Sequence, residues 1–417
     1  MLLGKYSFGI GDRFARQGEA QLKALIKAQK KGLDITPVWN KSFREHMTIN
    51  SDPRDTRIAA NNAVKGLNWN RKWFVDADHI NMSNVDRFVD SSDFFTIDVA
   101  DYIDKKSSEQ EMVEFIGSNL RFTGKFRIPG IDEPFNLTKE MVGSAGKKFL
   151  YAVKQASRIY RYIESKKGKG NFITEISMDE VTRPQSPLEL FLILSAVAAE
   201  NIPVQTIAPK FSGRFNKGVD YQGDMNQFAV EFEQDLLVID LVIKEFGLPE
   251  DLKLSMHSGS DKFSIYPVMG ELIRKHDKGI HIKTAGTTWL EEMIGLAMAG
   301  GEALDLAVKI YVESMNRFDE LCGPYATVID IDKKKLPTTA EVSGWNGQRF
   351  AHALRHDPGN PDYNPDLRQL VHVAYKIAAE QGETYTGMLE KHREIIGRQI
   401  TENIYERHLR RIYNLQL

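Results

Sequence analysis

Eight short apolar segments, nearly all separated by stretches of helical spacing, restrict this chain to an alternating α/β architecture. They cover residues 5–10, 35–41, 72–79, 94–99, 171–178, 204–208, 252–257 and 279–285. Helices are predicted at 11–32, 53–64, 83–89, 138–165, 187–200, 224–246 and 263–276, the second opened by Asp52-Pro53, an N-cap followed by Pro at the first helical position. The same alternation fits a doubly wound open sheet with a second domain. The count of eight, and polar residues gathered at the C-terminal ends of several strands rather than at one switch point, favour a TIM (β/α)8 barrel.

The expected organisation is a barrel over residues 1–300, with an irregular, acidic insertion after strand four at about 101–136, and a mainly helical C-terminal extension over 301–417. On the long helix, Met141, Ala145, Phe149, Val153, Ala156 and Tyr160 share one apolar face. A further strand is predicted at 326–331, and Arg407, His408, Arg410 and Arg411 read as a solvated face of the terminal helix.

Charge and cysteine usage narrow the function class. With 55 basic against 57 acidic side chains the net charge is −2, which argues against a nucleic-acid or membrane-surface partner. The single cysteine, Cys322, permits no internal disulfide and reads as a small buried hydrophobe in a reducing compartment. Lys5 and Asp12 interrupt any signal-peptide core, and the longest apolar run, 190–199, is about half a membrane span, so a cytoplasmic location is expected. Neither GxGxxG nor GxxxxGK[ST] follows a strand, so no nucleotide cofactor is expected.

Three histidines occupy strand-end positions: His79 in VDADHI, His257 in LSMHSGSD and His281 in GIHIKTAG. Three convergent imidazoles would leave open positions on a divalent metal. For each alone a hydrogen-bonded core or surface role is the simpler reading, and no local HExxH or CxxC supports a site. Asp76 and Asp78 share one face of strand three, while Glu175, set between Ile173 and Ile176, shares a face with Ser177 and Asp179. A buried acid needs a partner, either a metal or a lysine such as Lys283. Asp78 and His79 are adjacent and would point in opposite directions unless the strand curls, so a second ligand set, Asp78, Glu175 and His257 with His79 as a hydrogen-bond donor, fits equally. Lys210, Lys262 and Lys283, at or just after strands six to eight, suit an anionic or hydroxyl-rich ligand.

KWFVDADHINMSNVDRF, NFITEISMDEVTRPQSPLELF, LKLSMHSGSDKFSIYP and GIHIKTAGTTWLE together resemble the tagaturonate epimerase family, metal-dependent enzymes of bacterial hexuronate catabolism. The resemblance runs from the first strand through the eighth and over the helical C-terminus. It implies interconversion of D-tagaturonate and D-fructuronate, and a divalent cation (Fe, Mn, Co, Ni or Zn) on His79, His257 and His281. It also implies Asp78 and Glu175 as proton acceptor and donor. Because the inverted carbon lies beta to the ketone, simple enolisation does not acidify its C–H, and retro-aldol cleavage at the metal is the expected route, with a lysine on the substrate carboxylate. The competing readings are a class II type aldolase or ketose isomerase, and a non-catalytic sugar-acid binding protein. The expected partner is a small sugar acid.

Overall fold

Burial along the eight strands is near-continuous, as it is where helices cover a parallel sheet, and they close into one barrel. A computed structural model describes residues 1–258, 260–284 and 286–415; the predicted strand end at Ala285 and the last two residues of the extension lie outside them. The strands are β1 (Tyr6–Gly11), β2 (Ile35–Ser42), β3 (Phe74–Ile80), β4 (Phe94–Asp98), β5 (Ile173–Ser177), β6 (Thr206–Ala208), β7 (Lys253–His257) and β8 (Ile280–Thr284). All pairs are parallel, and β8 returns to β1 to close the circle. Where Lys283 crosses the barrel wall, its partner in register on β1 is Gly9, and a Cβ there would lie 3.0 Å from Lys283 Cγ. The glycine makes room for the lysine stem.

The insertion is more ordered than its composition predicts. Ser108 caps a helix over Glu109–Asn119, and Gly124–Phe126 pairs with Phe135–Leu137 in an antiparallel ribbon. Aromatic packing holds it down: Phe122 and Phe126 lie 5.0 and 4.6 Å from the Phe191 ring on the neighbouring helix. The long helix runs Lys139–Lys167, with Val142 rather than Met141 turned into the core.

Two expectations for the extension are corrected. Residues 326–331 form no strand; instead Gln369 brackets the segment, donating from Nε2 to the Asp330 carbonyl and accepting from Asp330 N at Oε1, both at 2.9 Å. A side-chain amide thus takes the place of a strand neighbour. Nor is the terminal helix a solvated face. His408 is fully buried with Nε2 3.4 Å from Asp261 Oδ1, Arg407 and Arg410 are half-buried, and Arg411 alone of the four is exposed, its guanidinium 4.6 Å from the Phe263 ring. The extension therefore packs onto the loop after β7, where Arg368 Nη2 also pairs with Asp261 at 2.6 Å. Cys322 is buried, and no described helix is long and apolar enough to cross a membrane.

The helix Thr287–Ala299 is buried on nearly every side, including Glu291, whose Oε1 accepts from Asn403 Nδ2 at 2.8 Å. Burial pushes the Glu291 carboxyl up to about 7. A carboxyl raised on folding contributes stability that is full below its unfolded value and lost as pH rises through about 7. Glu291→Gln is accordingly expected to stabilise the protein at pH 8 relative to pH 5 by ~1–3 kcal/mol in denaturant titrations. A difference independent of pH would contradict the assignment.

Candidate active site

The C-terminal rim of the barrel collects polar side chains from three strands, β3, β4 and β5, around one lysine on β8. Lys283 Nζ on β8 lies 2.8 Å from Asp76 Oδ2, 2.9 Å from Asp78 Oδ1 and 2.9 Å from Glu175 Oε1, and donates to Thr96 Oγ1 at 2.6 Å. The Thr96 hydroxyl in turn sits 3.0 Å from Asp76 and 3.1 Å from Glu175. Alternation places Asp76 and Asp78 on the same inner face of β3, and Glu175 faces them from β5. The pairing of Glu175 with Lys283 anticipated from the strand pattern is present.

Burial opposes charge on all four groups, and their mutual attraction decides which stay ionised. Burial pushes Asp76 up to about 7 against the pull of Lys283. For Asp78 and Glu175 burial is outweighed by Lys283 and then by the nearby histidines, so both carboxyls fall below their usual range. The three acids overcome burial at Lys283 and hold its ammonium well above the ordinary lysine value.

Above this cluster lie His79, Asp179 and His257. The two-directions problem at Asp78-His79 is solved by the backbone: the register of β3 against β4 shifts between Ala77 and Ile80, and His79 takes a φ of +52°. This bulge turns the imidazole back toward the barrel mouth, where Nδ1 lies 3.1 Å from Asp98 Oδ2 and Nε2 lies 3.8 Å from Asp78 Oδ1. His257 Nε2 is 2.8 Å from Glu175 Oε1, and its ring meets His79 edge-on at 5.4 Å between centroids. Asp179, just past β5, accepts from Ser177 Oγ at 2.6 Å and presents Oδ2 3.2 Å from His257 Nδ1. That nitrogen is buried yet aligned for no hydrogen bond. Burial lowers the affinity of His257 for a proton, but Asp179 and Glu175 together outweigh it and bring the imidazole to about 9.

Ligand atoms of His79, Asp179 and His257 lie within 4.8 Å of one another. Two imidazoles and one carboxylate, with a His257 ring nitrogen that makes no aligned hydrogen bond, are a donor set that could hold a divalent transition metal and leave coordination positions open.

Among the expected ligands, His281 is not brought to this group. It lies two residues before Lys283 on β8, one layer deeper in the barrel, sharing a 2.8 Å hydrogen bond with Ser7 Oγ and packed 5.2 Å from the Phe94 ring. Burial pushes it down to about 3, so it is a neutral core imidazole. Lys262 is also away from the cluster, donating from Nζ to the carbonyls of Asn216 and Val219 at 2.9 and 2.8 Å. Lys210 follows β6 in a loop tied through its backbone to Gln185, its N donating to Gln185 Oε1 at 2.7 Å, and its ammonium forms no bond to the acids around Lys283. Asp98 and Asp179 were not singled out as site residues; the signal for Asp179 was its place two residues beyond Ser177 on the Glu175 face.

A family model described as tagaturonate epimerase matches residues 2–412 of this chain. A curated tagaturonate/fructuronate epimerase of Thermotoga maritima is 27% identical over 421 residues, covering 97% of this chain and 80% of that protein. Crystal structures of a fructuronate-tagaturonate epimerase from Cohnella laeviribosi superpose over nearly the whole chain. With one glycerol bound the TM-score is 0.80 at 22% identity, covering 99% of this chain and 82% of that one. With two glycerols it is 0.81 at 21% identity, covering 100% and 83%.

Proposed function

The chain belongs to the tagaturonate epimerase family, and from that premise we propose that it interconverts D-tagaturonate and D-fructuronate at the C-terminal mouth of the barrel. The observation that carries the reading is a family match spanning residues 2–412, which includes every residue of the rim cluster. His79, Asp179 and His257 would hold a divalent cation, which when bound supplies Lewis-acid polarisation of the ketose oxygens.

The chain's own residues account for proton handling. Asp78 sits between the Lys283 ammonium and the His79 imidazole at the upper edge of the cluster, placed to accept a hydroxyl proton from substrate. Glu175, the expected proton donor, is fully buried and engaged by Lys283, His257 and, at 2.7 Å, Thr206 Oγ1, so we read it as the group that orients His257. Lys283 is saturated by three acids, which suits it to fixing Asp78 rather than gripping substrate. On the retro-aldol route a base takes the hydroxyl proton at the inverted carbon and the bond to the ketone's alpha carbon breaks. The aldehyde fragment then rotates, and the bond re-forms on its other face as the proton returns. A small sugar acid as substrate and a cytoplasmic location belong to the same proposal.

Purified, metal-reconstituted protein incubated with D-fructuronate in D2O should accumulate tagaturonate with no deuterium at the inverted carbon. Deuterium there would exclude cleavage without C–H breakage, free cleaved fragments would mark an aldolase, and no tagaturonate would refute the activity.

A further inference from the structure

The turn after β6 carries a half-buried lysine whose charge has no bonded partner. Around Lys217 the backbone of the turn is held from several sides, although the Asn216 side-chain amide Nδ2 is buried without a hydrogen bond. Lys262 Nζ donates to the Asn216 and Val219 carbonyls and, at 3.3 Å, to Ser260 Oγ. Gly218 N donates to Ser260 Oγ at 2.9 Å, and Arg368 Nε donates to the Gly218 carbonyl at 2.6 Å. Gly218 has a φ of +80°, and a Cβ there would press on the Arg368 carbonyl at 3.3 Å, so the turn is seated against the C-terminal extension. Lys217 N donates to the Val328 carbonyl at 2.8 Å. The Lys217 ammonium, by contrast, forms no hydrogen bond or ion pair among the described residues.

Its surroundings connect it, through Tyr325 and Arg44, to the segment after β5 that carries Asp179. Lys217 Nζ lies 5.7 Å from the centre of the Tyr325 ring, which the Arg44 guanidinium approaches at 5.8 Å. Arg44 reaches Glu180 at 3.9 Å, and Glu180 is the residue after Asp179. Other cations at the mouth are engaged: Lys283 by its three acids, Arg13 by Glu45 at 3.0 Å and the His372 carbonyl at 2.8 Å, and Lys41 by the Arg13 carbonyl at 2.6 Å and Ser51 Oγ at 2.8 Å. Among the described residues Lys210 also lacks an acid partner, and no aromatic ring lies beside its ammonium; its loop is tied instead to Gln185. Burial lowers the Lys217 ammonium from its ordinary value, with Glu180 opposing, as for a cation set in a partly dry wall and lacking a bonded anion.

We propose that Lys217, presented on a turn that Lys262 clamps from below, receives the substrate carboxylate and sets the preference for sugar acids over neutral ketoses. This rests on the ketouronate reading above. Lys262 is then a positioning residue, acting through the Asn216 and Val219 carbonyls rather than by touching substrate.

Calorimetric titration of the metal-reconstituted full chain with D-fructuronate and with D-fructose tests this without requiring turnover. Lys217→Met should weaken D-fructuronate binding by roughly tenfold or more, the scale of one charge-assisted hydrogen bond, and leave D-fructose within about twofold. Lys217→Arg should stay within roughly threefold of wild type, since the charge is kept. Lys262→Met should weaken D-fructuronate in the same direction and add little to Lys217→Met, because both act at one point. Unchanged D-fructuronate affinity in Lys217→Met, or an equal loss for both sugars, would overturn the assignment, as would the full effect appearing in Lys210→Met instead. A wild type that binds D-fructuronate through Lys217 yet forms no tagaturonate would refute the epimerase reading alone.

Discussion

His257→Ala is expected to cost at least about a hundredfold in kcat/KM with D-fructuronate, since even removing a partner behind a metal ligand costs 10–100-fold. The same variant, and Asp179→Asn, should bind less than one equivalent of divalent metal after reconstitution, while His281→Gln should retain it. This follows from position: His257 faces Asp179 through one ring nitrogen and Glu175 through the other, whereas His281 is bonded to Ser7 one layer below. The fold of His257→Ala should survive, because Glu175 keeps its bonds to Lys283 and Thr206. Metal content by elemental analysis decides between the two ligand sets. Full occupancy in Asp179→Asn with loss in His281→Gln would restore the three-histidine set.

Lys283→Met should be the most destabilising single change at the rim, by about 3–5 kcal/mol in denaturant titration, because it leaves buried acids without their cation. Asp76, Asp78 and Glu175 are all within 2.9 Å of Nζ, and none has solvent to turn to. The pH dependence carries a sign. Asp78 and Glu175 are held below the usual carboxylate range, so their contribution is full above their unfolded values and lost as pH falls through the depressed folded values. The gap between wild type and Lys283→Met should therefore narrow in acid, as the orphaned carboxyls of the variant take up protons first. A gap that is constant from pH 7 to pH 4 would mean that Lys283 stabilises by packing over Gly9 rather than by charge.

Local periodicity by itself determined a good deal about this protein. Alternation along FVDADHI and NFITEIS put Asp76, Asp78 and Glu175 on inner faces, and polar residues after apolar runs marked the rim of the barrel. These are properties of neighbouring residues, so they can be read without knowing what lies across the barrel. Tertiary structure alone decided the rest. Which inward residues share a layer depends on register: His281 pairs with Ser255 and Ser7, Lys283 with His257 and Gly9, so two residues along β8 separate a core imidazole from the centre of the site. The bulge that lets His79 join Asp78 appears as a left-handed φ forced by the mismatch of β3 against β4, which no run of apolar residues encodes. From the sequence Lys262 reads as a ligand contact and His408 as part of a solvated face, because the chain that buries them arrives from more than forty residues away, bringing the Asn216 and Val219 carbonyls to one and placing the other against Asp261. Burial of a polar group is a relation between distant segments. Sequence spacing carried the faces and strand ends, and the closing of the barrel under its helical extension decided which of those groups meet.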